Sequence, residues 1–386
     1  MLSGVEARAS SPTMNNNNNT TLPTKPHYQT LDGLRGIAAI IVVCFHLTEP
    51  LAASRLENVI NHGYLAVDFF FLLSGYVIGY AYDDRWDKLT VGAFLRRRFE
   101  RLQPLVVLGM TLGAIGFYYT DSPIWPLIHT VPLWKLLVVM LIGWTLLPVP
   151  LSMDIRGWFE MHPLNSVGWS LFFEYIANIL YAVGLRKLSN RALAVFVALA
   201  GAVLLHFAVT NPNGDVTGGW TLNAEHMRVG ITRTIFPFFV GLLLSRVARP
   251  VRIPNAFLWC SLLVAAVLLM PRIGGADRLW LNGLYEAFCI IIVFPAIVYL
   301  GAGGVARSPA EAKICKFLGD LSYPLYMTHY VLVYFYVAWV SRHKGITLSE
   351  AFPAALLTFS GAIVLAYISL KFYDEPTRAW LRKKLK

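Results

Sequence analysis

The chain has 386 residues, of which 56% are hydrophobic and only 14% charged, and its mean hydropathy is +0.55. An ordinary soluble domain carries about 25% charged residues, so this composition excludes a large soluble fold and predicts an all-α, polytopic membrane protein. Lys plus Arg outnumber Asp plus Glu by 33 to 22, a net charge of +11, which in a membrane protein marks cytoplasmic loops rather than nucleic-acid binding.

Residues 1–26 are polar, with an asparagine run from Asn15 to Asn19, and cannot bury a core; they predict a disordered cytoplasmic tail. They lack the basic-then-apolar layout of a cleaved signal peptide, so the first span is expected to persist and act as the insertion signal. Eleven apolar segments follow, at 31–49, 63–82, 100–119, 132–148, 169–187, 191–209, 231–248, 255–271, 280–301, 321–340 and 352–373. Basic loops orient them. The cluster Arg85, Lys88, Arg96, Arg97, Arg98 and Arg101 reads as cytoplasmic, as do Arg186–Lys187–Arg191, Arg246–Arg249–Arg252, Arg307–Lys313–Lys316 and the C-terminal tail from Arg378. These assignments require that one segment fail to cross. The segment 132–148 opens near Pro132 and closes at Pro148 and Pro150, which suits a short re-entrant or interfacial helix. The expected architecture is a bundle of about ten transmembrane helices over 27–376, with both termini cytoplasmic and a basic tail at 377–386.

Of the four cysteines, Cys44, Cys260 and Cys289 lie in apolar runs and Cys315 in a short basic loop. Their spacing fits neither a metal site nor a disulfide framework, so they read as packing residues and no metal is expected. No internal repeat of the kind found in many transporters stands out.

The first span carries Arg35 and His46, eleven positions apart on one apolar run. Eleven residues make almost three turns, which puts both side chains on one helix face with a rise of roughly 16 Å between them. A cation at one membrane edge and an imidazole deep in the bilayer are costly to keep and mark function. Asp68 in the second segment and Glu174 in the one beginning near Trp169 fall at depths similar to His46. Either carboxylate would orient the ring and raise its basicity. Depth alone does not choose between them, and each has a bland alternative: Asp68 as a cap or salt bridge, Glu174 as a partner for an arginine such as Arg233. His329, Glu286 and Asn178 read as interhelical hydrogen-bonding groups. At the cytoplasmic edge, Arg98 and Arg101 stand one turn apart and present two guanidinium forks suited to phosphate, although the same cluster is also the positive-inside signal.

The run Leu31–Asp32–Gly33–Leu34–Arg35 through His46 resembles the opening signature of membrane acyltransferase family 3, in which a basic residue precedes a histidine by ten intervening positions. The stretch Gly63 to Phe71 with Ser74–Gly75–Tyr76, the pair Arg98 and Arg101, Trp169–Ser170–Leu171 with Glu174, and Ser322–Tyr323, Leu325–Tyr326 and His329 resemble the motifs that follow in that family, in the same order. The resemblance implies transfer of an acyl group, most often acetyl from acetyl-CoA, to a hydroxyl of an extracytoplasmic carbohydrate or lipid-linked glycan, in the plasma (inner) membrane. It implies a catalytic His46, helped by Asp68 or Glu174, and donor binding by Arg35, Arg98 and Arg101. Its expected partners are acyl-CoA, a carbohydrate or glycolipid acceptor and membrane lipid, with no nucleic acid; oligomeric state stays open. Some relatives carry a further soluble esterase-like domain, and this chain stops shortly after its last span. The competing class is a proton-coupled transporter or polysaccharide-export permease, for which the same buried histidine and carboxylates would form a relay.

Overall fold

The computed structural model describes Lys25 and residues 27–384, so the tail expected to be disordered lies, but for Lys25, outside the described residues. Each of the eleven apolar segments forms a helical unit. In chain order these are α1 (Gln29–Thr48), α2 (Ala66–Tyr82), α3 (Val91–Gly116), α4 (Leu133–Trp144), α5 (Gly168–Val183), α6 (Asn190–Thr210), α7 (Ala224–Val247) and α8 (Ala256–Leu269). There follow α9 (Leu279–Phe288) continuing into α10 (Phe294–Ala302), α11 (Pro309–Arg342), and α12 (Leu348–Ile368) continuing into α13 (Glu375–Lys384). Sheet structure is limited to isolated bridges among the described residues.

Local chemistry sets the helix ends. Thr90, Ser189, Asn223, Ser308 and Thr347 each cap the next helix by accepting from a backbone N–H, and Thr347 with Glu350 completes a capping box. The two joints inside long units are π-turns, Cys289–Val293 and Ser369–Asp374, each running into a helix whose second residue is Pro295 or Pro376. A proline cannot donate the regular i→i−4 bond, and the ladder slips by one residue to get past it.

Seven units are long and apolar enough to cross a membrane: Gln29–Leu51, Gly63–Arg85, Val91–Thr120, Asn190–Thr210, Ala224–Val247, Leu279–Ala302 and Leu348–Lys384. The segment expected not to cross is α4, a helix of 12 residues or about 18 Å. Three segments expected to cross are not among the seven: α5 with 16 residues and α8 with 14 are shorter than the ~30 Å of hydrocarbon, while α11, at 34 residues, has the length. For α5 the reason is visible. The chain before it, from Arg156 to Ser166, is folded into the protein with Arg156, Glu160, His162, Asn165 and Ser166 all buried, so the helix begins well below the surface. Asp154 holds this loop by accepting from the backbone N–H of Arg156 (3.0 Å) and Phe159 (3.2 Å), which supports Phe159 in the left-handed conformation at φ 54°.

α1 is central. It packs along α11 on one side and α8 on another, while α2 packs along α7 and α11 also meets α3 and α12. The close approach of α1 to α11 depends on glycine: a Cβ on Gly36 would come within 2.5 Å of Leu318, and one on Gly319 within 2.6 Å of Asp32. That contact brings the second half of α11 beside the Arg35–His46 face.

Candidate active site

Arg35 and His46 open onto different cavities along the same face of α1. At the Arg35 end, a cavity of about 770 Å³ is lined by Arg35, Arg98, Arg101, Glu174, Ser74 and Ser322, among others. Beyond it, a mouth of about 890 Å³ shares Arg35 and Arg101 and adds Lys25, His27 and Arg85. At the His46 end, a cavity of about 1470 Å³ is walled by His46, Glu49, Glu160, Arg233, four tyrosines (Tyr64, Tyr326, Tyr330 and Tyr334) and four tryptophans (Trp125, Trp158, Trp169 and Trp220). Val67 and Tyr326 belong to the walls of both this outer cavity and the arginine-lined one.

The arginines come together as their spacing predicts, but each is held differently. Arg35 donates through Nε to Ser322 Oγ (2.8 Å) and through Nη2 to the Gly319 carbonyl (3.1 Å), and pairs with Asp32 one turn back (3.1 Å). Arg98 donates to Glu174 Oε1 at 2.6 Å, and its buried Nε has no partner. Arg101 is exposed to the cavity and its mouth, and makes neither a hydrogen bond nor an ion pair among the described residues. An unpaired guanidinium beside two half-satisfied ones is an arrangement that an anionic ligand completes.

Neither carboxylate expected beside His46 is there. Asp68 is fully buried against Arg233, with oxygens 2.6 and 3.2 Å from the guanidinium, which also donates to the Tyr64 carbonyl at 3.0 Å. Glu174 lies with the arginines, accepting from Arg98 and from Ser74 Oγ (2.7 Å). Position along a helix says nothing of azimuth, and α5 turns Glu174 toward Arg98 on α3 rather than toward His46. The ring of His46 instead meets Glu49, with Nδ1 3.2 Å from Oε2. Glu49 opens the short turn after α1, and an i,i+3 pair at a helix end was the available signal. A carboxylate at Nδ1 holds the proton there and leaves Nε2, which has no partner among the described residues, as a free lone pair. His46 is therefore arranged as an oriented base, with only 18% of its side chain exposed.

His329 stacks on His46, ring centroids 5.6 Å apart, and Tyr330 meets His46 edge-on at 4.9 Å. Contrary to the interhelical bond expected of it, His329 directs Nδ1 at carbonyls of its own helix, Leu325 and Tyr326, both at 2.9 Å. Glu286 does bond between elements, accepting from Tyr64 and from the backbone N–H of Val216, while Asn178 bonds the Glu174 carbonyl of its own helix. Sequence reading also passed over Glu160 in the outer wall, which accepts from Ser166 (2.7 Å) and Tyr334 (3.2 Å). Burial pushes its carboxyl above the usual carboxylate range despite those donors and nearby Arg156.

The chain is similar to known proteins over most of its length. The family model for the Acyl_transf_3 acyltransferase domain matches residues 28–369. Protein 2 in the picA locus of Rhizobium radiobacter is 32% identical over 182 residues, covering 45% of this chain and 91% of that one. The O-acetyltransferase OatA of Staphylococcus aureus is 23% identical over 363 residues, and the acyltransferase MdmB of Streptomyces mycarofaciens 24% over 327. The OatA match covers 90% of this chain but only 57% of OatA, and the MdmB match covers 78% of each. No solved structure matches. With the family model covering nearly the whole helical bundle, the chain belongs to membrane acyltransferase family 3.

Proposed function

We propose that this protein transfers an acyl group, acetyl in the first instance, from cytoplasmic acyl-CoA to a hydroxyl of an extracytoplasmic carbohydrate or lipid-linked glycan. The observation that carries this reading is the line of cavities along α1, from the free guanidinium of Arg101 to the oriented imidazole of His46. The positive-inside distribution supports ten crossings, with both termini and the arginine mouth on the cytoplasmic side of the plasma membrane. Acyl-CoA suits this layout. Its phosphates match Arg35, Arg98 and Arg101, and its long arm matches the roughly 16 Å between Arg35 and His46 along the helix. The aromatic outer cavity suits a sugar, whose apolar faces stack on rings while its hydroxyls find polar groups. The likeness to OatA, an O-acetyltransferase, supports acetyl as the group moved.

In this mechanism His46 Nε2 takes the proton of the acceptor hydroxyl as its oxygen attacks the thioester carbonyl carbon. The C–S bond breaks as the new C–O bond completes, and the imidazolium returns the proton to the departing thiolate. Glu49 holds the ring and stabilises its charged form, and Asp68 with Arg233 braces α2 against α7 beside it. The test is acetylation of the surface glycan in cells expressing His46→Ala at the parent protein level. A fall of about 10²–10⁴-fold is expected for loss of a general base, and undiminished acetylation would sink the assignment.

A further inference from the structure

The reaction puts negative charge on the thioester carbonyl oxygen, and something must donate to it. The backbone is no help at this depth, because helix-interior N–H groups are already committed to their own ladder. The donor is therefore a side chain, and it has to reach the junction between the cavity that suits the phosphates and the cavity that holds His46. Two side chains in particular stand in both walls, Val67 and Tyr326, and of these only Tyr326 has a polar atom. The four tryptophans line the outer cavity and not the inner one.

The partners of the tyrosines point the same way. Tyr64 donates to the buried Glu286 and Tyr334 to the buried Glu160, whose carboxyl groups would be left short of a donor if the tyrosine turned away. Tyr326 Oη meets Ser170 Oγ at 2.7 Å and, at a long 3.5 Å, the Val167 carbonyl, to which Ser170 itself donates at 3.0 Å. Its hydroxyl is thus a buried donor held by a neutral, readily exchanged acceptor. Its ring is fixed by an edge-on contact with Phe70 at 5.7 Å and lies 6.1 Å from His329, the residue stacked on His46.

We propose that Tyr326 is the hydrogen-bond donor to the thioester carbonyl, its hydroxyl leaving Ser170 for the carbonyl oxygen when the acyl end of the donor enters the junction between the two cavities. The inference rests on the acyl-CoA reading above. During attack the carbonyl π electrons move onto an oxygen that Tyr326 stabilises without giving up its proton; they re-form the carbonyl as the C–S bond breaks. The proton traffic runs through His46 alone.

Tyr326→Phe removes the hydroxyl and keeps the ring packing. With nanodisc-reconstituted protein, acetyl-CoA as donor and an envelope-glycan fraction of the native host as acceptor, kcat is expected to fall about 10²-fold while the Kd for acetyl-CoA holds. A second readout separates donation from packing: the infrared carbonyl band of isotope-labelled acetyl-CoA bound to the slow His46→Ala protein. That band should lie below its position in water-free solvent, return upward when Tyr326→Phe is added, and stay low or move lower with Ser170→Ala, which frees the hydroxyl. A kcat within a factor of a few of the parent, or a band indifferent to Tyr326→Phe, overturns the proposal. Full activity in His46→Ala would instead overturn the parent reading, so the two failures are distinguishable.

Discussion

The two cavities beside α1 handle charge in opposite ways. In the outer one, each ionic group other than the His46–Glu49 pair is committed to a protein partner: Asp68 to Arg233, and Glu160 to Ser166 and Tyr334. The free surface there is aromatic and hydroxylic. In the inner one and its mouth, three guanidinium groups face two carboxylates, Asp32 and Glu174, and Arg101 has no direct partner among the described residues. The difference teaches how one membrane protein serves the two ends of one substrate. An anionic head needs uncompensated cations, which are tolerable only near a wet mouth. A reactive end needs a polarity balanced by the protein itself, so that the one unspent group, the imidazole lone pair, does the chemistry.

That contrast can be broken from either side. The largest effect is expected from Asp68→Asn, which leaves Arg233 charged and unpaired in the bundle; breaking a buried pair costs about 3–5 kcal/mol. Thermal unfolding of detergent-solubilised protein should show this as a large fall in Tm, and a Tm near the parent's would mean that the outer polar groups are not balanced as described. Arg101→Gln should do the reverse. Lacking a protein partner, it should leave Tm nearly unchanged while KM for acetyl-CoA rises about 10–100-fold, the worth of one charged hydrogen bond. A drop in stability with KM unaltered would make Arg101 an anchor of the bundle rather than part of a binding site.

Glu49→Gln sharpens the reading of His46. Loss of the carboxylate should lower kcat about tenfold, because the ring loses the acceptor that holds its Nδ1 side. A kcat equal to the parent's would detach Glu49 from the imidazole. The smallest effect belongs to the mouth, where a hydrogen bond to Asp32 at 2.6 Å holds the His27 imidazole above its ordinary value of 6.5. A raised folded value means that the contact contributes in full below the ordinary value and fades as pH rises through the folded one. His27→Asn should therefore lower Tm slightly at about pH 5 and not at all near pH 9, and an equal loss at both would contradict the charged contact.

Much of the fold is legible in the chain. Each apolar segment became a helix with ends within a few residues of those expected, apart from longer charged extensions on α3, α7 and α11 and the continuation of α12 into α13, because burial of apolar runs and capping by Thr90, Ser308 or Thr347 are local properties. Among the described residues seven of the helical units are long and apolar enough to cross, where loop charge leads to ten, since charge reports sidedness and neither the length nor the hydropathy of a helix. The 156–166 loop is a tertiary matter: its polar residues are buried by contacts such as the Arg156 side chain on the Pro163 carbonyl at 2.6 Å.

By itself the sequence determined that this is a membrane-embedded helical protein, that Arg35 and His46 share a stripe, and that Arg98 and Arg101 present neighbouring forks. Those are consequences of composition and of the 3.6-residue turn. Only the tertiary structure decided who meets whom: Asp68 with Arg233, Glu174 with Arg98, His46 between Glu49 and His329, and Tyr326 between two cavities. A helix repeats its own faces without reference to its neighbours, so contacts between residues up to 287 positions apart, as for Arg35 and Ser322, arise from how the helices rotate and sink against one another.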